Sequence, residues 1–273
     1  MSAAAPRSRT ATVAALAAAT LGLACAPAAT AFQWQAEGQG IPLAPFPSAA
    51  AIGSAGGFLQ ARAGRTAFAV VDSTGQLSGL HVHEHFETAS VVKVMMLIAY
   101  LQRLAAHGVG LSPADRDLLY PMIHISDNEA ASAVLAIVGE GALARVAREA
   151  GMSDYAPGVG WWAYTQTSPA DQARLLFKLG RLIPARFYGY ARYLMSTIEP
   201  EQSWGIPEVA RPSWQVYFKT GQLPESGLYN EVALLERGPV RFAAAVFIDG
   251  DPSMGYAHET IAGVGARLVR PAP

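Results

Sequence analysis

The order of the predicted elements is the feature that most constrains the fold of this chain. Alternating apolar residues predict two early strands, Thr66–Asp72 and Leu77–His83. The same pattern returns late in the chain, at Trp214–Phe218, Tyr229–Leu235 and Arg241–Ile248. Only segments with helical spacing lie between the two groups. This order predicts an α/β fold with an antiparallel sheet built from both chain ends and flanked by helices, plus an inserted all-α lobe.

The helical segments differ in how much of their surface is apolar. Val91–Leu104 is apolar on nearly every face, which predicts a helix in the middle of the protein. Five further helices are predicted before the late strands: Asp115–Ile123, Asn128–Val138, Ala142–Ala150, Pro169–Leu182 and Arg186–Ile198. Ala257–Val269 has the amphipathic pattern of a last helix.

The N-terminal segment has the features of an export signal. Arg7 and Arg9 precede the apolar run Ala11–Ala26, and Ala29-Thr30-Ala31 offers small residues for cleavage. We therefore expect residues 1–31 to be a signal peptide, and the mature protein to be secreted or held in the cell envelope, without stable membrane insertion.

The rest of the chain divides by composition. Residues 32–57 are rich in Pro, Gly and Ala and indicate a linker or loosely packed lead-in. Residues 58–273 would form one catalytic domain, in which 58–87 and 214–273 supply the sheet part and 88–213 the helical part.

Charge and cysteine content exclude several classes of function. The formal net charge is −1, which offers no electrostatic surface for nucleic acid. The single cysteine, Cys25, lies in the predicted signal peptide, so the mature chain would have neither a disulfide nor a thiol nucleophile. Lipid anchoring at Cys25 is the less favoured alternative to free export.

Lysine is rare in this chain, with only Lys93, Lys178 and Lys219 against seventeen arginines. A buried lysine can lose its proton and act as a base, whereas a guanidinium cannot. Lys93 ends the motif Ser90-Val91-Val92-Lys93, and Lys219 begins Lys219-Thr220-Gly221. Ser126-Asp127-Asn128 lies between them. Each motif is common by itself, but all three in this order and context point to one catalytic site.

Ser90 is predicted to be a nucleophile with Lys93 as its base. Residues three apart on a helix share a face, so the Lys93 amine would reach the Ser90 hydroxyl. The apolar neighbours of Lys93 would disfavour its charged form and make it a usable base. The backbone N–H of Ser90, at a helix start, would be half of an oxyanion hole.

The other two motifs would bind the substrate and move a proton. Ser126 would relay a proton to the leaving nitrogen, and Asn128 would bind a substrate carbonyl or amide. Lys219 on an edge strand would attract a substrate carboxylate, with help from the Thr220 hydroxyl. Gly221 completes the motif, and the backbone N–H of Gln222 would be the second oxyanion donor.

These motifs resemble those of the class A β-lactamases, a family of penicillin-recognising serine enzymes, and the similarity extends from about Gly57 to Val269. Three further segments resemble the family: Thr167–Ala173, Tyr229–Val232 and His258–Ala262. The resemblance implies an acyl-enzyme on Ser90 and a small β-lactam or peptidoglycan-like acyl substrate. It implies no cofactor, and we expect a monomer.

The chain departs from the family's pattern in three places. Trp161–Gln166 fills the Ω-loop region without the glutamate that activates the deacylating water in the family. Ser126 follows Ser90 by only 36 positions, so a segment that walls the cleft is missing. Tyr229 stands where the family has an arginine, so carboxylate binding would rest on Lys219, Thr220 and Arg211. The resemblance therefore implies acylation more strongly than efficient β-lactam hydrolysis.

Two other functions stay open at this stage. A peptidoglycan D,D-peptidase or a small esterase would tolerate the missing glutamate. A non-catalytic cell-wall-binding module could share the fold, although it would not need Ser90, Lys93, Ser126 and Lys219 together.

A histidine pattern and a tryptophan pair each allow two interpretations. His81, His83 and His85 alternate and would share one strand face, but we expect them to be solvent-facing residues that bind no metal. Trp161 and Trp162 would either line the cleft or pack within the loop.

Overall fold

The computed structural model describes residues 44–270. Its α-helices are α1 Ala49–Gln60, α2 Lys93–Ala106, α3 Pro113–His124, α4 Asn128–Val138, α5 Glu140–Ala150, α6 Pro169–Phe177, α7 Leu179–Leu182, α8 Ala185–Ser196, α9 Ile206–Ala210 and α10 Met254–Val269. Its strands are β1 Arg65–Val71, β2 Leu77–Leu80, β3 Phe86–Glu87, β4 Gln166–Thr167, β5 Gln215–Leu223, β6 Leu228–Arg237 and β7 Val240–Asp249. The predicted signal peptide, including Cys25, lies outside the described residues.

The main sheet contains five strands in the order β2-β1-β7-β6-β5, and every neighbouring pair is antiparallel. The first strand from the early group joins the last strand of the chain, with Arg65 opposite Asp249. The predicted sheet built from both chain ends is therefore confirmed. Strand β5 is an edge strand, so one side of the Lys219-Thr220-Gly221 motif has no strand partner.

Helices cover the sheet and explain why its central strands are apolar. Strands β6 and β7 are buried over most of their length. Helices α1 and α10 pack on each other and on the sheet, while α6 packs on β1, β6 and β7. A strand with both faces covered excludes water from all its side chains, which favours continuous Val, Ile, Leu, Phe and Ala.

Helix α2 forms the centre of the helical lobe. Every residue from Val94 to Leu101 is buried, as its all-round apolar surface predicts. Ala89–Ala106 is long and apolar enough to cross a membrane by length and composition, but 67% of it is buried inside the domain. Its hydrophobicity is therefore accounted for by packing in the core.

Two helices begin at a serine cap followed by a proline. The Ser112 hydroxyl accepts the backbone N–H of Asp115, and the Asp115 carboxylate accepts the N–H of Ser112, before Pro113 opens α3. The Ser168 hydroxyl likewise accepts the N–H of Asp171 at the start of α6. These bonds satisfy amide groups that have no partner within the helix.

The predicted lead-in is wrong over its last residues. Helix α1 begins at Ala49 inside the segment 32–57, and the Ser48 side chain caps it. Its Ala55 and Leu59 are buried. A Cβ on Gly263 of α10 would lie 2.4 Å from the Phe58 ring, so this glycine makes room for α1. The end of the predicted lead-in is therefore part of the packed domain.

The predicted second strand is too long. Strand β2 ends at Leu80, and His81 has a left-handed backbone with φ 50°. His81, His83 and His85 therefore do not share a strand face. The Nδ1 atom of His83 lies 2.7 Å from Oδ2 of Asp154, which explains this histidine by a hydrogen bond to a neighbouring loop.

Candidate active site

A cleft of about 660 Å³ lies where the helical lobe meets the edge strand β5. It brings together six of the residues that the motifs predict: Ser90, Ser126, Asn128, Thr220, Gly221 and Gln222. The two motif lysines, Lys93 and Lys219, are fully buried behind this lining. The three motifs therefore meet in one place, although 129 positions separate Ser90 from Lys219.

Ser90 lies in a short 3-10 helix, Ala89–Val92, that leads directly into α2. The preceding residue, Ala89, has φ 46°, a left-handed conformation that costs energy for a residue with a Cβ. Such strain persists only when the surroundings hold it. The side chain of Asn230 does so by donating to the carbonyls of Glu87 at 2.8 Å and Thr88 at 3.2 Å.

The Lys93 amine is enclosed by oxygen atoms from the second motif. Its Nζ donates to the carbonyl of Ser126 at 2.5 Å, to the Ser126 hydroxyl at 3.1 Å and to Oδ1 of Asn128 at 2.8 Å. Burial lowers the pKa of Lys93 to about 7, and the charge of Asp127 opposes this shift. At neutral pH a large fraction of this lysine is therefore an uncharged amine, the form that can accept a proton.

Within residues 44–270, Ser90 is not among the hydrogen-bond partners of the Lys93 amine. Three acceptors match the three N–H bonds of a protonated lysine. A neutral amine has only two N–H bonds and a lone pair. Loss of the proton would therefore release one oxygen contact and free a lone pair for the Ser90 hydroxyl, an adjustment common between empty and substrate-bound sites.

Ser126 and Asn128 are held at the turn between α3 and α4. Ser126 has a left-handed φ of 57°, which directs both its carbonyl and its hydroxyl to Lys93. Asp127 caps α4 by accepting the N–H of Ala130 at 2.7 Å. Because Oδ1 of Asn128 accepts from Lys93, its Nδ2 is oriented as a donor for a substrate carbonyl.

Gly221 allows strand β5 to approach the nucleophile. A Cβ at this position would lie 2.9 Å from the backbone nitrogen of Ser90 and 2.8 Å from the carbonyl oxygen of Thr88. A side chain here would therefore force the strand and the 3-10 helix apart. Gln222, the next residue of the edge strand, lines the same cleft as Ser90. That their backbone N–H groups form a two-donor oxyanion hole stays a prediction.

Lys219 is fully buried in the edge strand β5 and does not line the cleft. Its Nζ donates to Oε1 of Gln202 at 3.2 Å and to the Thr220 carbonyl at 3.1 Å. Burial, reinforced by the nearby charge of Lys93, holds the pKa of Lys219 well below its usual range. Gln202 does line the cleft, so the lysine is linked to the cleft wall through this side chain.

Arg211 does not supply the missing arginine. It does not line the cleft, and its guanidinium donates to the carbonyl of Ser196 at 2.9 Å. The prediction that it helps to bind a carboxylate is wrong. Of the three residues expected to bind a carboxylate, only Thr220 reaches the cleft surface.

Of the two tryptophans, one lines the cleft and the other packs inside the protein. Trp162 is buried, donates from Nε1 to the Ser132 hydroxyl at 3.1 Å, and has its ring centroid 4.9 Å from Nζ of Lys93. Trp161 is 36% exposed and lines the cleft together with Tyr164. The loop therefore gives one aromatic ring to the core around Lys93 and two to the substrate side.

The carboxylates near the site were not all foreseen. Glu87, Glu201 and Glu225 line the cleft. Burial and the charge of Asp249 raise the pKa of Glu87 above its usual range. Glu87 could have been recognised as a cleft residue from the sequence, because it lies only three positions before Ser90. Glu231, on strand β6, is fully buried and accepts the N–H of Ile206 with both oxygens at 3.2 Å.

The role of Asn230 could not be predicted, because its hydrogen-bond partners are distant in sequence. Asn230 belongs to a family-like segment, and its bonds to Glu87 and Thr88 depend on the register of β6. Among residues 44–270, no group of three or more His, Cys, Asp or Glu side chains is placed to hold a metal ion.

Several β-lactamases of known structure have this architecture. The chain is similar to a β-lactamase from Sphaerobacter thermophilus at 20% identity, with a TM-score of 0.68 over 80% of this chain and 95% of that one. A putative class A β-lactamase from Rhodopseudomonas palustris matches at 20% identity, with a TM-score of 0.71 over 80% and 98% of the two chains. A β-lactamase from Xanthomonas campestris matches at 18% identity and a TM-score of 0.69, over 80% and 96%. At these identities the likeness establishes the fold.

The family itself is established by a match of the sequence. No curated protein matches the chain. The model of the β-lactamase enzyme family matches residues 108–271, which include Ser126, Asn128 and the Lys219-Thr220-Gly221 motif and begin after Lys93. This match covers more than half of the chain, and it agrees with the resemblance that the three motifs indicated. The chain belongs to the β-lactamase enzyme family.

Proposed function

We propose that the protein is an exported serine hydrolase that opens β-lactam rings and forms an acyl-enzyme on Ser90. The observation that carries this proposal is the buried Lys93 amine, whose pKa of about 7 makes it a base at neutral pH. It lies behind a cleft that Ser90, Ser126 and Asn128 line. A serine hydroxyl needs such a neighbouring base to become a nucleophile.

In the proposed acylation, neutral Lys93 accepts the proton of the Ser90 hydroxyl as the oxygen attacks the lactam carbonyl. The negative charge that develops on the carbonyl oxygen would be stabilised by the backbone N–H groups of Ser90 and Gln222. Asn128 would donate from Nδ2 to an amide carbonyl of the substrate. Each of these groups belongs to a rigid element, so little reorganisation is required during the reaction.

The leaving nitrogen then takes a proton through Ser126. Protonated Lys93 lies 3.1 Å from the Ser126 hydroxyl, so it can return its proton to Ser126 while Ser126 gives its own proton to the nitrogen. The C–N bond breaks, the ring opens, and the acyl group remains on Ser90 as an ester. Lys93 is neutral again at the end of this step.

Hydrolysis of that ester is the step with the least support. Water must lose a proton as it attacks the ester, and Trp161–Gln166 contains no carboxylate to accept that proton. The proposal is therefore fast acylation and slow deacylation.

Mass spectrometry of the intact mature protein after exposure to benzylpenicillin tests the proposal. We expect a mass increase of one penicilloyl group that Ser90→Ala abolishes. Ser226→Ala is the matched control, because Ser226 lines the same cleft outside the motifs. Persistent labelling of Ser90→Ala would contradict the nucleophile assignment, and no labelling of the wild type would favour a non-catalytic cell-wall-binding module.

A D,D-peptidase is the second candidate, favoured by the carboxylate-free loop Trp161–Gln166 beside an open aromatic cleft. Such an enzyme would also form a lasting penicilloyl ester. Release of D-alanine from a peptide ending in D-Ala-D-Ala, lost in Ser90→Ala, would select this activity over β-lactam hydrolysis.

Export is the remaining part of the proposal. It is supported by the charged, apolar and small-residue order of residues 1–31. The N-terminal sequence of the protein recovered from the cell envelope or the medium tests it. A start near Phe32 is expected, and an intact Met1 would contradict cleavage.

A further inference from the structure

A second cavity, of about 290 Å³, lies where the helices α6 and α7 meet the β1–β2 turn and the start of β7. It shares no residue with the cleft around Ser90. Four of its lining side chains are cationic: Arg174, Lys178, Arg181 and Arg241. Lys178 is the one lysine of the chain outside the catalytic motifs. Among residues 44–270, no aspartate or glutamate lines the cavity.

The four cations also lack carboxylate partners close by. None of them takes part in an ion pair with another residue in the range 44–270. Glu236 lies directly opposite Arg241 in the sheet register, yet its carboxylate pairs with Arg192 at 2.7 Å. Two adjacent acids are also occupied: Asp72 accepts backbone N–H groups of its own turn, and Asp171 accepts those of Ser153 and Asp154.

The cations come from neighbouring segments that meet at the cavity. Arg174 lies on α6, Lys178 in the break between α6 and α7, and Arg181 on α7. Like charges around one cavity repel each other, and a bound anion would turn this repulsion into attraction.

Two of the cations are held in place by their neighbours. The Arg241 guanidinium lies 4.6 Å from the centroid of the Phe177 ring and donates to the Phe177 carbonyl. The Lys178 amine donates to the carbonyl of Ala150 at 2.7 Å. Each retains further N–H donors, because a guanidinium has five and an ammonium three. The donors are therefore positioned before any ligand arrives, which lowers the entropy cost of binding.

From this geometry we infer that the cavity is a binding site for a phosphate group, free or carried by a small phosphate ester. Guanidinium groups bind the oxygens of phosphate in a bidentate manner, and several cations around one cavity match its multiple charge. The volume is at the small end of ligand pockets, so it suits a phosphate or diphosphate group rather than a large molecule.

Isothermal titration of the mature protein with pyrophosphate, at constant ionic strength, tests the inference. We expect saturable binding of about one ligand per chain. The double variant Arg174→Gln/Arg181→Gln should weaken it by at least about tenfold, since a hydrogen bond to a charged group contributes enough for such a change. Arg181 is exposed, so Arg181→Gln alone is a second variant that should fold and weaken binding in the same direction.

Arg103→Gln/Arg145→Gln is the matched control. These two arginines line another surface cavity in company with Glu149, and their replacement should leave pyrophosphate binding unchanged. Equal weakening in this control would overturn the inference, because it would indicate a general effect of charge.

Sedimentation with vesicles of phosphatidylglycerol and phosphatidylcholine separates the two sources of phosphate. Vesicle binding that the Arg174/Arg181 variant loses, without binding of free pyrophosphate, would assign the site to a lipid headgroup. Binding of neither pyrophosphate nor vesicles by the wild-type protein would overturn the inference.

Discussion

Gly221 and Ser90 are in backbone contact: a Cβ on Gly221 would lie 2.9 Å from the amide nitrogen of Ser90. The same Cβ would lie 3.0 Å from the nitrogen of Val91. Backbone atoms cannot move aside to make room for this Cβ, whereas the end of a flexible side chain could. The glycine of the third motif therefore sets how closely the edge strand approaches the nucleophile.

Replacement of Gly221 by alanine should impair acylation severely. The added methyl group would separate the N–H groups of Ser90 and Gln222, and a displacement of about 1 Å in such a site costs on the order of 10²-fold in rate. Stopped-flow acylation with a chromogenic cephalosporin measures the effect. Gly255→Ala is the control, because a Cβ on Gly255 meets nothing within 4 Å. An acylation rate near that of the wild type in Gly221→Ala would contradict this role.

The acylation rate should depend on the protonation of Lys93. Its pKa is lowered to about 7 by burial, and only the neutral amine can accept the proton of Ser90. The rate should therefore rise with pH, pass half of its maximum near pH 7 and level off above that value. A pH profile of the second-order rate constant for penicillin labelling measures this. A flat profile between pH 5 and pH 9 would contradict the base role.

Replacement of Lys93 by arginine should be as damaging as replacement by alanine. Arginine keeps the positive charge but stays protonated at every accessible pH. We expect both variants to lose acylation by at least about 10²-fold, the contribution typical of a general base. Lys178→Arg, a lysine outside the motifs, should acylate like the wild type. Retention of activity in Lys93→Arg would mean that the charge, rather than proton transfer, matters.

The parts of the fold that could be predicted are those with local signals. Helix α4 has the predicted bounds Asn128–Val138, because Asp127 caps its start and Gly139 ends it with a φ of 77°. The all-round apolar run after Ser90 likewise predicts the central helix. Capping, turn and periodicity signals act within a few residues, so they can be read from the sequence.

The rest of the site depends on contacts between distant segments. An alanine or a serine carries no signal for the left-handed backbone of Ala89 and Ser126. Lys219 was expected to attract a substrate carboxylate, but its amine is bonded to Gln202, a residue 17 positions away that no sequence signal links to it. The segment 49–57 contains the small residues of a linker, whereas α1 packs on α10, which lies near the other end of the chain.

Glu231 is expected to stabilise the protein in its protonated form. Burial raises its pKa well above the usual 4.5, so the folded state holds this proton at pH values where the unfolded chain has released it. Stability contributed by this group therefore falls as pH rises above about 4.5. Glu231→Gln, which resembles the neutral acid, should remove this slope in urea unfolding measured from pH 5 to pH 8.

Glu231→Ala should be destabilising at pH 5, where the pH-dependent cost of Glu231 is still small. It removes the acceptor of the Ile206 N–H, and a buried donor without a partner costs about 1–3 kcal/mol. If the Gln variant lost as much stability as the Ala variant at pH 5, the protonated state of Glu231 would be ruled out.

Deacylation should be much slower than acylation with β-lactams. Ser90, Lys93 and Ser126 supply the nucleophile, the base and the proton relay for ring opening. Trp161–Gln166 provides no base for the water that must follow, and general-base assistance typically contributes 10²–10⁴-fold. We expect a burst of one product per chain and then slow turnover, with a penicilloyl adduct on Ser90 that lasts for minutes. Time-resolved intact mass spectrometry measures both.

Rapid turnover without a detectable adduct would require another base, and the structure narrows where it could be. Glu231 is buried away from the cleft, whereas Glu87, Glu201 and Glu225 line it. Burial raises the pKa of Glu87 above its usual range, so Glu87 is the first of the three to replace. In that event Glu87→Gln should restore a lasting adduct with acylation intact. If none of the three Glu→Gln variants did so, Lys93 itself would be the group that activates water, since it is neutral again once the ring has opened.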